Sequence, residues 1–302
     1  MTPTSPPLPD AVRAAFWMTG AIASFTSMAV AGRAVSFELD TFEIMLYRSV
    51  VGMVLVLLVA SAAGTRGQIS TERLGLHGLR NVAHFAGQNL WFFAISALPL
   101  AQVFALEFTS PIWVILLAPL VLGERITRTG ALAAAIGFAG VLIVTRPGIS
   151  ALDLGHLAAA GAAVGFALSA LFTRRLTRGT TITGILFWLT AMQLVLGLVC
   201  AGLDGDIARP SPASLPWLVL IGCAGLVAHF CLTTALSIAP AAVVMPIDFV
   251  RLPVIALVGA LVYAEALDPF VFLGAIFIFA GNYLNITRGQ ARPVVRGAAV
   301  PK

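Results

Sequence analysis

Ten separate stretches of this chain are each about 20 residues long and almost wholly apolar, the length a helix needs to cross a bilayer. They fall at roughly 12–32, 44–63, 79–98, 100–122, 127–144, 152–172, 182–202, 215–237, 241–263 and 269–286. Of the 302 residues, 59% are hydrophobic and only 10% charged, against roughly 25% charged in an average soluble domain. So few charges cannot coat a water-soluble surface. That excludes an ordinary soluble enzyme, a disordered chain and a nucleic-acid binder. The expected fold is an all-α membrane protein with ten transmembrane helices. Residues 1–11 read as a loose, Pro-rich tail and the longest link is 64–78. The first span has only Arg13 before it and nine spans after it, so it reads as a spanning helix rather than a cleaved leader.

The arginines set an orientation. With the N-terminus inside, thirteen Arg and Lys residues fall in inner segments and three, Arg33, Arg146 and Arg209, in outer ones. Arg48 and Arg251 lie within spans. This positive-inside bias expects both termini in the cytoplasm and the chain in a cell inner membrane. The three cysteines, Cys200, Cys223 and Cys231, sit in apolar runs and read as small packing residues. No spacing suits a metal site, and no cofactor is expected.

Displacing the sequence by 141 positions lays 94–140 over 235–281 without a gap. Ala94/Ala235, Ser96/Ser237, Pro99/Pro240, Phe108/Phe249, Glu124/Glu265 and the Phe-Ala-Gly at 138–140 and 279–281 coincide, and Glu107 meets Asp248. The expected organisation is a first repeat at 12–146, a second at 152–287 and a basic tail at 288–302. Five spans per repeat is an odd number, so the second copy must enter the membrane inverted. Glu124 is followed by Arg125 and Arg128, whereas Glu265 is followed by Asp268, as inversion requires. Inverted repeats mark secondary transporters, with the substrate site between the halves near mid-membrane.

The stretch SALPLAQVFALEFTSPIWVILLAPLVLGERITRTGALAAAIGFAGVLIVTRPG resembles the EamA domain of the drug/metabolite transporter superfamily, as does its echo from Ser237 onward. The matching features are a proline hinge after a helix, the mid-helix Pro111, the Leu122-Gly123-Glu124 closing a span, and the Gly-rich span that follows. Arg48 in LYRSVVGM also looks like the family. The resemblance covers nearly the whole chain as two units. It implies a ten-helix carrier whose cavity is lined by spans 1, 3, 4 and 6, 8, 9. It also implies a small solute such as an amino acid, a nucleotide-like metabolite or a vitamin, often exported. Many members are uncharged where this chain has Glu107.

Ionisable residues deep in a span cost at least ~2.5–3.5 kcal/mol on insertion scales, so they usually face a cavity and have a partner. Glu107 and Asp248 hold equivalent positions, and Arg251 follows Asp248 by three residues on one helical face, with Ser110 in its place in the first repeat. Two readings stay open. The acids and Arg251 line a substrate site, or Asp248–Arg251 and Glu107–Arg48 neutralise each other structurally. If Glu107 has no close base, it is a candidate for proton coupling. Pro111, Pro246 and Pro253 free the carbonyls of Glu107, Ala242 and Phe249, which only protein or a water-filled cavity can satisfy at this depth. They also serve as plain kinks.

Span three carries a polar stripe, Asn81, His84, Gln88 and Trp91, on one face of a helix. Span eight answers with His229, equivalent to Gln88, then Thr233 and Ser237. Trp91 is placed to stack on a planar or cationic solute, or to pack against neighbours. Arg48 is placed to attract an anionic group or to snorkel to the interface. Glu124 and Glu265, at helix ends, favour the N-terminus of the following span. The glycines of spans five and six read as close helix packing.

The leading expectation is therefore a carrier of a small polar or amphoteric metabolite. An amino acid or amino-acid-like compound comes first and a nucleoside- or vitamin-like planar solute second. The expected partners are the small-molecule substrate and membrane lipids, with no nucleic acid. A membrane-embedded enzyme is disfavoured by the lack of HExxH, GxSxG or a metal-ligand cluster. A channel is disfavoured by two broken-helix halves with acids at equivalent depths.

Overall fold

The computed structural model describes residues 10–146, 153–177, 179–203, 205–239, 244 and 247–288. The outermost tails, Pro246, and the side chains of Thr233 and Ser237 lie outside the described residues. The described chain is helical, with no strand among the described residues. Its helices are α1 (Asp10–Val35), α2 (Thr41–Ala62), α3 (Leu74–Ala97), α4 (Leu100–Glu107), α5 (Ser110–Leu122), α6 (Arg128–Thr145), α7 (Leu154–Leu176), α8 (Ile182–Ala201), α9 (Leu215–Ile238), α10 (Arg251–Tyr263) and α11 (Pro269–Arg288).

Eight spans are long and apolar enough to cross a membrane, with α4 and α5 counted as one. Two of the ten expected spans differ. α10 is a 13-residue helix that follows a turn at Phe249 and Val250, and 240–243, 245 and 246 of the same span lie outside the described residues. α3 has 24 residues but is too polar to be among the eight. It starts five residues earlier than its apolar pattern suggests and so takes in His77 beside Arg80, Asn81, His84, Gln88 and Asn89, all buried. A spanning helix keeps such residues only by turning them away from lipid.

Local signals fix the helix ends. Asp40 and Glu43 form a reciprocal capping box at α2, while Thr181, Thr127 and Asp153 accept from the third backbone N–H of α8, α6 and α7. The 141-residue displacement extends beyond the stretch first recognised. α3 and α9, α5 and α10, and α6 and α11 all begin 141 residues apart.

Packing obeys the same displacement. α1 lies on α9 and α3 on α7, which are equivalent pairs, while α2 packs on its own equivalent α8 and α6 on α11. Glycines allow these approaches. Gly20 of α1 faces the Cys231 sulfur of α9, and its equivalent Gly161 of α7 faces Leu90 of α3. Between α6 and α11, a Cβ on Gly140 would lie 2.5 Å from the Gly274 carbonyl, and one on its equivalent Gly281 would lie 2.5 Å from that of Ala133. Cys200, Cys223 and Cys231 are all free thiols.

Hydrogen bonds sort the links into two ends. At one, Thr181 donates to the Gln68 carbonyl (3.2 Å), Trp188 to that of Ser70 (2.8 Å), and Arg174 pairs with Glu124 (2.9 Å). This end also carries Arg66, Arg73, Arg125, Arg128 and Arg175. At the other, Tyr47 donates to the Ala208 carbonyl (2.7 Å), Tyr263 to that of Val30 (3.2 Å), Arg33 pairs with Glu265, and Arg146 with Asp268. The arginine asymmetry of the sequence thus becomes an arginine-rich and an arginine-poor end.

Gly140→Val should drive a side chain into the Gly274 backbone and lower the melting temperature in detergent by about 5 °C or more. Gly67→Val, where a Cβ meets nothing within 4 Å, should leave it unchanged within error. Equal behaviour of the two variants would contradict the close α6–α11 approach.

Candidate functional site

Span four breaks between α4 and α5. Pro111 has no N–H to offer the Glu107 carbonyl, and the Ser110 hydroxyl donates to that oxygen instead (2.7 Å). The neighbouring Phe108 carbonyl accepts from Asn282 of α11 (2.9 Å). In the second repeat, the Phe249 carbonyl accepts from the Leu252 N–H (3.1 Å). The freed carbonyls of Glu107 and Phe249 are therefore satisfied by protein, and that of Ala242 lies outside the described residues. The break turns Phe108 toward its equivalent Phe249, and the two rings stack at 4.5 Å, so the pseudo-twofold axis passes between them.

Around that axis the equivalent acids meet one base. Arg251, 4% exposed, donates through Nη2 to Glu107 Oε1 (3.1 Å) and Asp248 Oδ2 (3.3 Å). Its guanidinium carbon lies 4.6, 5.1 and 4.8 Å from the ring centroids of Phe25, Phe104 and Phe108. The cation is thus sheathed by three aromatic rings and neutralised by two carboxylates. Glu107 Oε2 accepts from Trp91 Nε1 (2.8 Å). Trp91 packs edge-on against Phe92 and Phe104, so its contact positions the Glu107 carboxylate. Asp248 Oδ1 is buried without a partner among the described residues.

These contacts correct two expectations. Arg48 does not pair with Glu107. It turns inward and donates to Gln88, with the Met45 sulfur at 3.7 Å, so it does not snorkel. Nor is Glu107 without a base, so the condition set for its proton uptake is not met; Arg251 is close because the broken helices bring its first turn to the axis.

The second layer joins α3 to α9. His84 and His229 stand 6.2 Å apart, edge to face. Phe166 packs on His84 (5.9 Å) and its equivalent Phe25 on His229 (5.8 Å). Nearby, Arg80 donates to Thr173 and Asn81, both at 3.1 Å, and Asn81 donates to the Trp188 carbonyl (3.0 Å). The sequence residues Glu107, Asp248, Arg251, Trp91, Gln88, His84, His229 and Arg48 are therefore drawn to one centre, whereas Ser110 is spent on its own helix break. Sequence reasoning missed Phe25, Phe104 and Asn282. Phe25 and Phe166 are identical at the repeat distance, and that signal was available.

Two further carboxylates stand at the ends. Glu265 accepts from the Leu100 N–H (2.9 Å) and pairs with Arg33, which also donates to the Ile95 and Leu98 carbonyls. This corrects the expectation that Glu265 serves the span after it. Pro99 opens α4 with an unpaired first N–H, and Glu265 reaches that donor instead of α11. Arg33 and Arg174 are 141 residues apart, as are Glu124 and Glu265, so the ion pairs Arg33–Glu265 and Arg174–Glu124 are equivalents at opposite ends.

Two inverted five-helix units meeting at a charged, aromatic-walled centre define a multi-pass membrane transporter. The EamA-like transporter family matches the chain twice, at residues 12–146 and 153–287. The chain belongs to that family. Among curated relatives, a riboflavin transporter of Brucella anthropi is 31% identical over 240 residues, covering 78% of this chain and 84% of that protein. One of Rhizobium johnstonii is 33% identical over 236 residues, covering 73% and 76%. An S-adenosylmethionine uptake transporter of Rickettsia bellii is 22% identical over 270 residues, covering 89% and 92%. A crystal structure 17% identical superposes with a TM-score of 0.63 over 93% of this chain and 99% of that one, a likeness of fold alone.

Arg251→Gln should leave Glu107 and Asp248 buried and unneutralised, lowering stability by about 3–5 kcal/mol. Glu107→Gln in the same chain should restore part of that loss. Arg48→Gln and Glu107→Gln should instead be additive within about 0.5 kcal/mol. Melting curves of the two double-mutant cycles check both, and strong Arg48–Glu107 coupling would overturn the assignment.

Proposed function

We propose that this protein is a secondary carrier of a planar, vitamin-like solute of the riboflavin type. In this reading it works by alternating access in a cell inner membrane, with the arginine-rich end and both termini in the cytoplasm. The observation that carries the substrate reading is the pair of relatives named as riboflavin transporters. The centre suits such a solute: aromatic walls from Phe25, Phe104 and Phe108 for a flat ring, and Glu107, Asp248, Gln88, His84 and His229 for its polar edges. Trp91 positions Glu107, and Arg251 holds the acid pair. An amino-acid-bearing solute is the second reading. The free Asp248 Oδ1 and the S-adenosylmethionine relatives favour it, since a carboxylate beside a cation can receive an ammonium group.

Alternating access follows from space and from the two latches. The cavity at the centre, between α2, α8 and α9, is about 20 Å³, room for one water. A drug-sized solute needs several hundred Å³, so one end must open. A second cavity, about 300 Å³ between α3 and α8, is walled by Val82, Trp188, Met192 and Val195 and is nearly all apolar. Val82 and Val195 are more than half exposed there, as in a groove facing lipid. The Arg33–Glu265 side chains are only 10% and 13% exposed, while those of Arg174–Glu124 are 54% and 43% exposed. In this reading the buried latch shuts the outer end, the exposed one is loose, and the two exchange character during transport.

Purified protein should gain thermal stability with riboflavin, and Glu107→Gln or Asp248→Asn should weaken that gain by about tenfold in ligand concentration. No shift with riboflavin but a shift with amino acids would replace the substrate reading. Separately, with the native cysteines replaced and Thr190→Cys introduced in the cavity wall, Arg33→Gln should increase labelling from outside, and Glu124→Gln from inside. Both variants opening the same end would sink the reciprocal latches.

A further inference from the structure

We infer that the small cavity between α2, α8 and α9 is a donor-lined subsite, with Arg48 and Gln193 as its two hydrogen-bond donors, for an oxygen-acceptor group of the solute. The inference rests on the carrier reading above and deepens it. The cavity is lined by Arg48, Ser49, Thr190, Gln193 and His229 around the hollow left by Gly52, Gly222 and Gly225. Its polar groups are mismatched for a finished protein core. Gln193 is 2% exposed, yet its Nε2, a pure donor, has no partner among the described residues. Ser49 and Thr190 have already spent their protons, on the carbonyls of Met45 (2.6 Å) and Phe187 (3.0 Å). Arg48 offers five N–H donors, and its partners among the described residues are the Gln88 carbonyl oxygen and the Met45 sulfur, with no carboxylate in contact.

A guanidinium inside a membrane without an anion is expensive unless something else completes it. Gly225 keeps the place open. A Cβ there would lie 3.1 Å from Arg48 Nη2, and the equivalent residue of the first repeat is His84. Gln193 in turn stands where the first repeat has Gly52. The two repeats diverge at the positions that surround this cavity. At the axis both Glu107 oxygens are bonded, and the open acceptor is Asp248 Oδ1, beside the Arg251 Nε that is also without a partner among the described residues. The chamber therefore has a donor pole at Arg48 and Gln193 and an acceptor pole at Asp248. A solute that spans both must present oxygen acceptors at one end and N–H or ammonium donors at the other. In a flavin, the acceptor group is either the dione edge of the ring or the oxygen-bearing side chain.

The test compares binding of riboflavin, riboflavin 5′-phosphate and lumichrome, the ring without the side chain, by quenching of their fluorescence on purified full-length protein. Arg48→Gln should weaken binding about tenfold or more and Gln193→Leu about threefold or more. Equal loss for all three probes places the ring dione at the subsite. Loss for riboflavin and its phosphate with lumichrome unchanged places the side chain there. A second readout needs no ligand. Gln193→Leu removes the partnerless Nε2 donor and Arg48→Gln removes a cation with no carboxylate in contact, so the ligand-free variants should melt at or above the parent. Parent-like binding of every probe by both variants, or a drop of about 5 °C or more in the ligand-free melt of each, overturns the subsite. If the parent binds no flavin, the substrate reading falls alone, and the ligand-free melts still decide for or against Arg48 and Gln193.

Discussion

A single cation at the middle of the membrane constrains the rest of this molecule. Arg251 sits where a charge is costly, and it is tolerated because two carboxylates and three aromatic faces converge on it. Those groups come from α1, α4, the break beside α5 and the segment before α10. Asp248 stands three residues before Arg251 on the same segment, while Glu107 and Phe108 meet Arg251 where the fourth span of the first repeat breaks. The proline at 111, the Ser110 hydroxyl and the Asn282 amide hold the first break. The break is thus the precondition for the charge cluster, and the cluster ties the two repeats together at the axis.

The scaffold is symmetric and the contents are not. Helix boundaries, glycine contacts and end latches recur at the 141-residue displacement. At the centre the equivalents are Glu107 and Asp248, but also Ser110 and Arg251, Gln88 and His229, His84 and Gly225, and Arg48 and Leu189. Packing constrains both repeats alike, because each interface is built from one face of each. A solute with two different ends does not impose that symmetry. Divergence at the polar positions of the chamber is what a fold shared between halves and a cargo without symmetry would together produce.

Much of this was legible in the sequence. Ten apolar runs gave the class, because length and hydropathy are properties of single segments. The repeat gave the topology, because an odd number of spans forces inversion. The charged residues of the centre stood out, because each is anomalous in its own helix. Pairing was not legible. Arg48 looked as near to Glu107 as Arg251 did, since helix rotation and the angle of the break decide which base arrives, and neither is written in local pattern. Phe104 was invisible for another reason. Aromatics are ordinary in such helices, and only three-dimensional convergence on Arg251 distinguishes it, whereas Phe25 was marked by its identity with Phe166 at the repeat distance.

The latches carry the argument from architecture to motion. Arg33–Glu265 and Arg174–Glu124 are chemically the same pair at equivalent positions of the two repeats. Their surroundings differ. The first is buried and reinforced by the Ile95 and Leu98 carbonyls and the Leu100 N–H; the second stands in the open, where an ion pair contributes about 0–1 kcal/mol. Exchanging the surroundings of the two pairs exchanges which end is held. A scaffold whose halves are interchangeable by inversion already contains that exchanged state, with the same helices and the same contacts. In the proposed alternating-access cycle the conformational change would transfer burial from one copy of a latch to the other, and a few kcal/mol of differential solute binding would suffice to bias it.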